Sequence, residues 1–270
     1  MPEPNLRISL ISRQRIRDQS VGLNEPSGLT LSHDSTGLYT VSDDTRAIFR
    51  LDLQGQVVVT ESFFITVDDL EGIAISRDGQ YLHAVQEKTN SVISFDIARR
   101  LEIGRRALTS LDNYSSIARH FPDPPDNKGV EGITVDTRTG NIIVVKEGRP
   151  GLLIAIDLPA ARILESRLLT ETNGFSHPQI PFKKLDFSGL SYDSSRNTLW
   201  ITSDKGQCVF HYDWQQDRVL QRLDLISDTK KGSSRVRKSE GVAIDPEHQR
   251  LYVVSERDGD LYTYRIHTDD

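Results

Sequence analysis

One short string recurs five times along the chain, and this recurrence limits the possible folds more than any other property of the sequence. Aligned on a single glycine, the copies read Ser27-Gly28-Leu29-Thr30-Leu31, Glu71-Gly72-Ile73-Ala74-Ile75, Glu131-Gly132-Ile133-Thr134-Val135, Ser188-Gly189-Leu190-Ser191-Tyr192 and Glu240-Gly241-Val242-Ala243-Ile244. Successive glycines are 44, 60, 57 and 52 residues apart. Similarity at such a period marks a supersecondary unit that cannot bury its own apolar face and must pack against its neighbours.

Two more features keep register with the glycine. Ten residues after it stands an apolar residue, Leu38, Leu82, Ile142, Leu199 or Leu251, which opens a second apolar run. Fifteen residues after it stands an acid: Asp43, Glu87, Glu147, Asp204 and Glu256. Acids fill 39 of 270 positions, so agreement in all five units arises by chance on the order of once in ten thousand.

Each unit reads as β structure. Short runs of β-branched and aromatic residues are broken by turn chemistry such as Ser76-Arg77-Asp78-Gly79 and Thr137-Arg138-Thr139-Gly140. A third run follows (Ala47–Leu51, Val92–Phe95, Leu153–Ile156, Val209–Tyr212, Leu261–Tyr264), then a fourth such as Gln56–Phe64 or Arg218–Leu225. Four antiparallel strands repeated in tandem make a β-propeller blade. The expected fold is therefore all-β, a five-bladed propeller forming one domain over 1–270, with units at about 25–66, 67–110, 128–170, 184–226 and 237–266. The last unit ends after its third strand, and an orphan strand at 5–14 precedes the first unit. Pairing these two closes the ring and removes two open edges. A sandwich of unrelated strands leaves the shared register without a cause.

Composition excludes some functions. The formal net charge is -6, against the basic surface of a general nucleic-acid binder, so no nucleic-acid partner is expected. No apolar run approaches the roughly 20 residues that span a bilayer. Residues Met1 to Ser20 lack the apolar stretch of a signal peptide. That fits a cytoplasmic protein if the sequence is full-length, and a periplasmic or cell-envelope one if it is trimmed. Cys208 is the single cysteine, which excludes an internal disulfide and a cysteine zinc cluster. Cys208, Trp200 and Trp214 lie in strand patterns and are expected to pack between blades.

Strand direction places the acids. The first strand of each blade lines the channel, and its start shares a face with the end of the antiparallel second strand. The residue before the repeat glycine and the acid fifteen after it thus meet at one channel mouth, gathering Glu71, Glu131, Glu240, Asp43, Glu87, Glu147, Asp204 and Glu256. Where Ser27 and Ser188 replace the first acid, Glu25 and Asp186 stand two residues earlier. Two carboxylates about 5 Å apart repel by roughly 3 kcal/mol at an effective dielectric near 20, so protonation or a cation must relieve the ring. Calcium, which takes six to eight oxygens in loose geometry, suits ligands from separate blades; the scarcity of aligned histidines argues against zinc or iron. The competing reading is structural: an acid after the second strand caps the next turn or pairs with Lys88, Lys146, Lys205 or Arg257.

Three long links open on the same face, at 110–128, 171–184 and 227–238, and loops over a channel are where ligands are met. The first carries His120 and ends at Lys128, the second carries His177, and the third carries Lys230, Lys231, Arg235, Arg237 and Lys238. A carboxylate or phosphate ligand beside a bound cation would use such bases, and either histidine is a candidate general base.

The strings Asp69-Leu70-Glu71-Gly72-Ile73-Ala74, Asn127-Lys128-Gly129-Val130-Glu131-Gly132, Val145-Lys146-Glu147, Asp186-Phe187-Ser188-Gly189-Leu190, Ser203-Asp204 and Ser255-Glu256 resemble the SdiA-regulated family, a group distantly similar to NHL-repeat and esterase-like phytase propellers. The likeness runs from about residue 20 to 266. It implies a five-bladed propeller with a calcium site, a bacterial origin and an association with the cell envelope, and no defined reaction. Two functions fit these readings. One is a calcium-binding module that takes a small-molecule or protein ligand at the channel mouth. The other is a calcium-dependent hydrolase of a phosphate ester, lactone or related ester, in which the metal polarises substrate and activates water.

Overall fold

The computed structural model describes residues 5–42, 44–122, 128–229 and 232–268. An orphan strand, β1 (Leu6–Arg15), comes first. The first blade is β2 (Pro26–Leu31), β3 (Gly37–Ser42), β4 (Thr45–Asp52) and β5 (Phe63–Phe64). The second is β6 (Leu70–Ile75), β7 (Tyr81–Gln86), β8 (Ser91–Asp96) and β9 (Leu101–Ala107); the third is β10 (Val130–Val135), β11 (Ile142–Lys146), β12 (Leu152–Asp157) and β13 (Arg162–Leu168). The fourth is β14 (Leu190–Asp193), β15 (Thr198–Ser203), β16 (Cys208–Asp213) and β17 (Arg218–Asp224). A separate hairpin, β18 (Ile226–Thr229) and β19 (Gly232–Arg235), precedes the fifth blade of β20 (Ser239–Asp245), β21 (Arg250–Ser255) and β22 (Asp260–Thr268).

The fold is the five-bladed ring of four-stranded antiparallel blades that the repeat requires. In the fifth blade the order is β1-β22-β21-β20, with Leu6 opposite Thr268 and Arg15 opposite Asp260. Gln221 of the fourth blade holds the start of β1 from the side: its Oε1 accepts from the Leu6 N–H at 2.8 Å and its Nε2 donates to the Leu6 carbonyl at 2.6 Å.

The core is divided by blade interface. One apolar cluster fills each seam, for example Val85, Val130 and Ile154 between the second and third blades, or Trp200, Val209, Leu251 and Tyr262 between the fourth and fifth. Trp200 and Cys208 are fully buried, and Trp214 packs half-buried on the seam between the third and fourth.

The repeat glycines explain themselves at the channel. A Cβ on Gly28, Gly72, Gly132, Gly189 or Gly241 would stand 2.6, 2.3, 2.2, 2.5 or 2.4 Å from the carbonyl oxygen of Glu71, Glu131, Ser188, Glu240 or Ser27 respectively. Each innermost strand therefore abuts the next, around the full circle, at a distance only glycine permits.

The first blade departs from the expected pattern at its outer strand. The pairing there is broken into an isolated bridge between Leu51 and Val57 and the short strand Phe63–Phe64, because the N–H groups of Glu61 and Ser62 fold back onto the Val58 carbonyl and the Ser62 hydroxyl accepts from Arg50 N–H in place of a ladder bond. The link at 227–238 is likewise not open loop but mostly the β18–β19 hairpin.

Candidate metal centre

A β-bulge aims the acids. In the third blade Val130 pairs with Lys146 and Gly132 with Val145, so Glu131 is skipped. In the fifth, Ser239 pairs with Ser255 and Gly241 with Val254, so Glu240 is skipped. The second blade shifts register across Glu71-Gly72 in the same way. An extra residue on one strand turns its side chain out of the ladder, here towards the axis. In the first blade the equivalent Ser27 donates its hydroxyl to Glu71 Oε2 at 2.8 Å, and in the fourth Ser188 donates to the Ser239 carbonyl at 2.9 Å.

At the mouth these side chains line a cavity of about 200 Å³. Its wall holds Glu71, Glu131, Glu147, Asp186, Asp204, Glu240 and Glu256 against Lys128, Lys205 and Lys238. Seven carboxylates thus face three ammonium groups, and the excess must be met by protons or a cation. Burial, reinforced by Glu240, Glu147, Glu71 and Glu87, raises the Glu131 carboxyl well above its ordinary range. Burial and the charges of Asp204, Glu256 and Glu71 push Glu240 up to about 8, with Lys238 opposing. Glu87 is also raised, chiefly by burial and by Glu147 and Asp69, against the N–H of Gly129.

The later acids divide into two kinds. Glu87 Oε1 accepts from Gly129 N–H at 3.0 Å and Asp204 Oδ1 from Lys238 N–H at 2.7 Å, each tying the end of one blade's second strand to the entry of the next blade. Glu147 pairs with Lys128 at 2.9 Å, and both oxygens of Glu256 meet Lys238 Nζ at 2.6 Å. Of the four bases offered as partners by sequence, the described contacts use Lys205, which lies 3.1 Å from Asp186 and 3.3 Å from Asp204. The partners of Glu147 and Glu256 instead come from the residues entering the inner strands: Lys128, three positions before the skipped Glu131, and Lys238, two before the skipped Glu240.

Carboxylate oxygens of Glu87, Glu131 and Glu147 lie within 4.8 Å of one another. Calcium–oxygen bonds of roughly 2.4 Å place opposite ligands about 4.8 Å apart, so the three oxygens fit around one ion. The donors are all hard oxygen, and burial, with neighbouring carboxylates, makes Glu87 and Glu131 hold their protons more tightly than usual. The chemistry of the set therefore fits calcium.

Other expected residues are placed elsewhere. Asp43 lies outside the described residues, as do Lys230 and Lys231. Glu25 is half-buried and is not in the cavity wall; its N–H donates to Ser42. Asp186 is in the wall, nearly buried, and held by Ser203 and Lys205. Arg235 turns to Asp224 at 3.1 Å and Arg237 to Asp258 at 3.0 Å, so among the described residues of the basic run only Lys238 reaches the cavity. His177 caps its own loop, its Nδ1 accepting from the N–H groups of Gln179 and Ile180. His120 stands over a second, larger cavity of about 770 Å³ beside the first. Sequence reasoning missed the basic side chains of that cavity, Arg119, Lys146, Arg149, Lys183 and Lys184; the Lys183-Lys184 doublet in a long link was the available signal.

Fold and site together define a five-bladed β-propeller with an acidic cavity at one mouth of its channel. The profile of the SdiA-regulated family matches residues 12–263, and the chain belongs to that family. No curated protein matches the chain. Among solved structures it is similar to Myxococcus xanthus glutaminyl cyclase, with a TM-score of 0.68 and 11% identity over 99% of this chain and 100% of that one. It is also similar to a chain of the nidogen/laminin complex, with a TM-score of 0.54 and 14% identity over 93% and 86%. At such identities the likeness is one of fold.

Proposed function

We propose that this protein is a calcium-binding module in which Glu87, Glu131 and Glu147 hold the ion at the channel mouth, where it presents the surrounding surface to a ligand or protein partner. The observation that carries the reading is the convergence of three carboxylates, from the second and third blades, within 4.8 Å. The ion supplies the positive charge that three lysines leave short, and open positions for ligand oxygens. The chain's own part is to fix the carboxylates: the bulge aims Glu131, Gly129 N–H orients Glu87, and Lys128 restrains Glu147.

Calcium at about 100 times its dissociation constant is expected to raise the thermal midpoint on the order of 5–10 °C. Glu131→Gln removes most of that rise. A variant whose midpoint responds to calcium and chelator as the parent does would refute the assignment.

A second reading, a calcium-dependent hydrolase of a phosphate ester or lactone, draws on the larger cavity, which shares Glu147 with the first. Burial, Arg119 and Lys146 lower the pKa of His120, leaving the neutral imidazole a general base requires. Chelator-sensitive turnover on a panel of such esters would support it. The glutaminyl cyclase activity named for the Myxococcus xanthus structure is not carried over, since the 11% identity supports fold alone.

A further inference from the structure

The larger cavity has a charge opposite to that of its neighbour and of the whole chain. In a protein of net charge -6, the wall of this space of about 770 Å³ carries seven lysines and arginines against two carboxylates, Glu147 and Asp186. The cations arrive from three separate segments. Arg119 sits on the single helical turn Ala118–His120, Lys146 and Arg149 at and beyond the end of β11, and Lys183 and Lys184 on the turn Phe182–Lys184. Lys128 and Lys205 form the partition with the acidic cavity, lining both.

The partition lysines are engaged with Glu147, Asp186 and Asp204, and the buried Lys146 ammonium lies 5.7 Å over the Phe121 ring. Arg119, Arg149, Lys183 and Lys184 differ. All four are exposed, and among the described residues none has a carboxylate at ion-pair distance. Four like charges around one concavity repel until an anion enters. The space lies within the size range of small-molecule sites and far exceeds one inorganic anion. Arginine adds the planar fork that matches the oxygens of phosphate and carboxylate.

We propose that this cavity is a binding site for a small organic polyanion bearing two or more phosphate or carboxylate groups. Arg119, Arg149, Lys183 and Lys184 hold those groups. The proposal goes beyond the calcium reading and does not need it, because the cations stand there whether or not the neighbouring acids hold an ion.

The test uses the full chain passed over a chelating resin, so that it is free of metal, titrated calorimetrically with tripolyphosphate and separately with citrate at 0.15 M salt. Saturable binding of one ligand per chain is expected, and the tighter of the two probes assigns phosphate or carboxylate chemistry. Lys183→Gln/Lys184→Gln weakens it by about tenfold or more, and so does Arg119→Gln/Arg149→Gln. A control pair on the turns at the opposite end of the second blade, Arg77→Gln/Arg99→Gln, changes affinity less than about twofold, since exposed charges a strand's length away are screened. All six residues are exposed, so the variants are expected to fold, which their thermal midpoints check. Absence of saturable binding by either probe, or an equal loss in the control pair, overturns the proposal. A missing calcium response with polyanion binding intact would instead remove the metal reading alone.

Discussion

The position before each repeat glycine does two things at once. Its backbone carbonyl meets the preceding blade's glycine, as Glu131 meets Gly72 and Ser188 meets Gly132, while a side chain such as that of Glu131 projects into the cavity. Gly132→Ala would push a methyl group to 2.2 Å from the Ser188 carbonyl, which is backbone and cannot turn aside. The expected cost is about 3 kcal/mol, near the upper end for overpacking, and urea denaturation would read it as a lowered midpoint with little change in slope. Most acids of the cavity were legible in the sequence for the same reason: a fixed offset from a fixed glycine gives them a fixed direction. Which of them converge was not. Glu87 and Glu147 flank Glu131 from two different blades, and that grouping depends on how adjacent blades lean together, which no spacing within one unit encodes.

At the scale of elements, the strands were legible and the links between them were not. Continuous apolar runs and turn chemistry specify β10–β12 closely, because strands that face a seam on both sides are buried almost throughout. The links carry no repeat and no period. The basic run at 227–238 was expected over the mouth, yet pairing of β18 with β19 and the acids Asp224 and Asp258 draw Arg235 and Arg237 away from it. Of that run's described residues Lys238 alone lines the acidic cavity, and the cations of the larger cavity beside it come from the other two links, the end of β11 and the turn after β15. Closure belongs to this scale too. Strand β1 covers the outer edge of β22 over nearly its whole length, so deleting residues 6–15 uncovers a ladder edge and removes Leu6 from the seam between the fourth and fifth blades. The expected outcome is a shift to high-mass material in size-exclusion chromatography relative to the parent; an unaltered elution profile would contradict it.

For the molecule as a whole, the acidic cavity makes stability depend on pH. The Glu240 carboxyl, at about 8 in the folded protein against 4.5 in an unfolded chain, binds its proton more strongly when folded. Its contribution is fully present below about pH 4.5 and is lost as pH rises through about 8. Buried His83 and His211, both lowered to about 4 by desolvation, have the opposite dependence in the acid range, so the carboxyl is best isolated by difference. Without metal, Glu240→Gln is expected to melt progressively higher than the parent as pH rises from 5 to 8. A gap that stays constant with pH would show that the carboxyl is not perturbed. On the proposed calcium reading the ion would compete with the protons that Glu87 and Glu131 hold more tightly than usual, so its stabilisation of the parent would grow as pH rises.

The unbroken circle of glycine–carbonyl contacts also has a mechanical consequence. Each inner strand is wedged against the next, so the aperture cannot dilate at one blade without parting all of them, and it behaves as a rigid washer rather than an iris. Occupancy of the mouth is therefore not signalled by a change of bore. A ligand or partner met at the mouth would then be read through the surface segments around the rim and not through the hub.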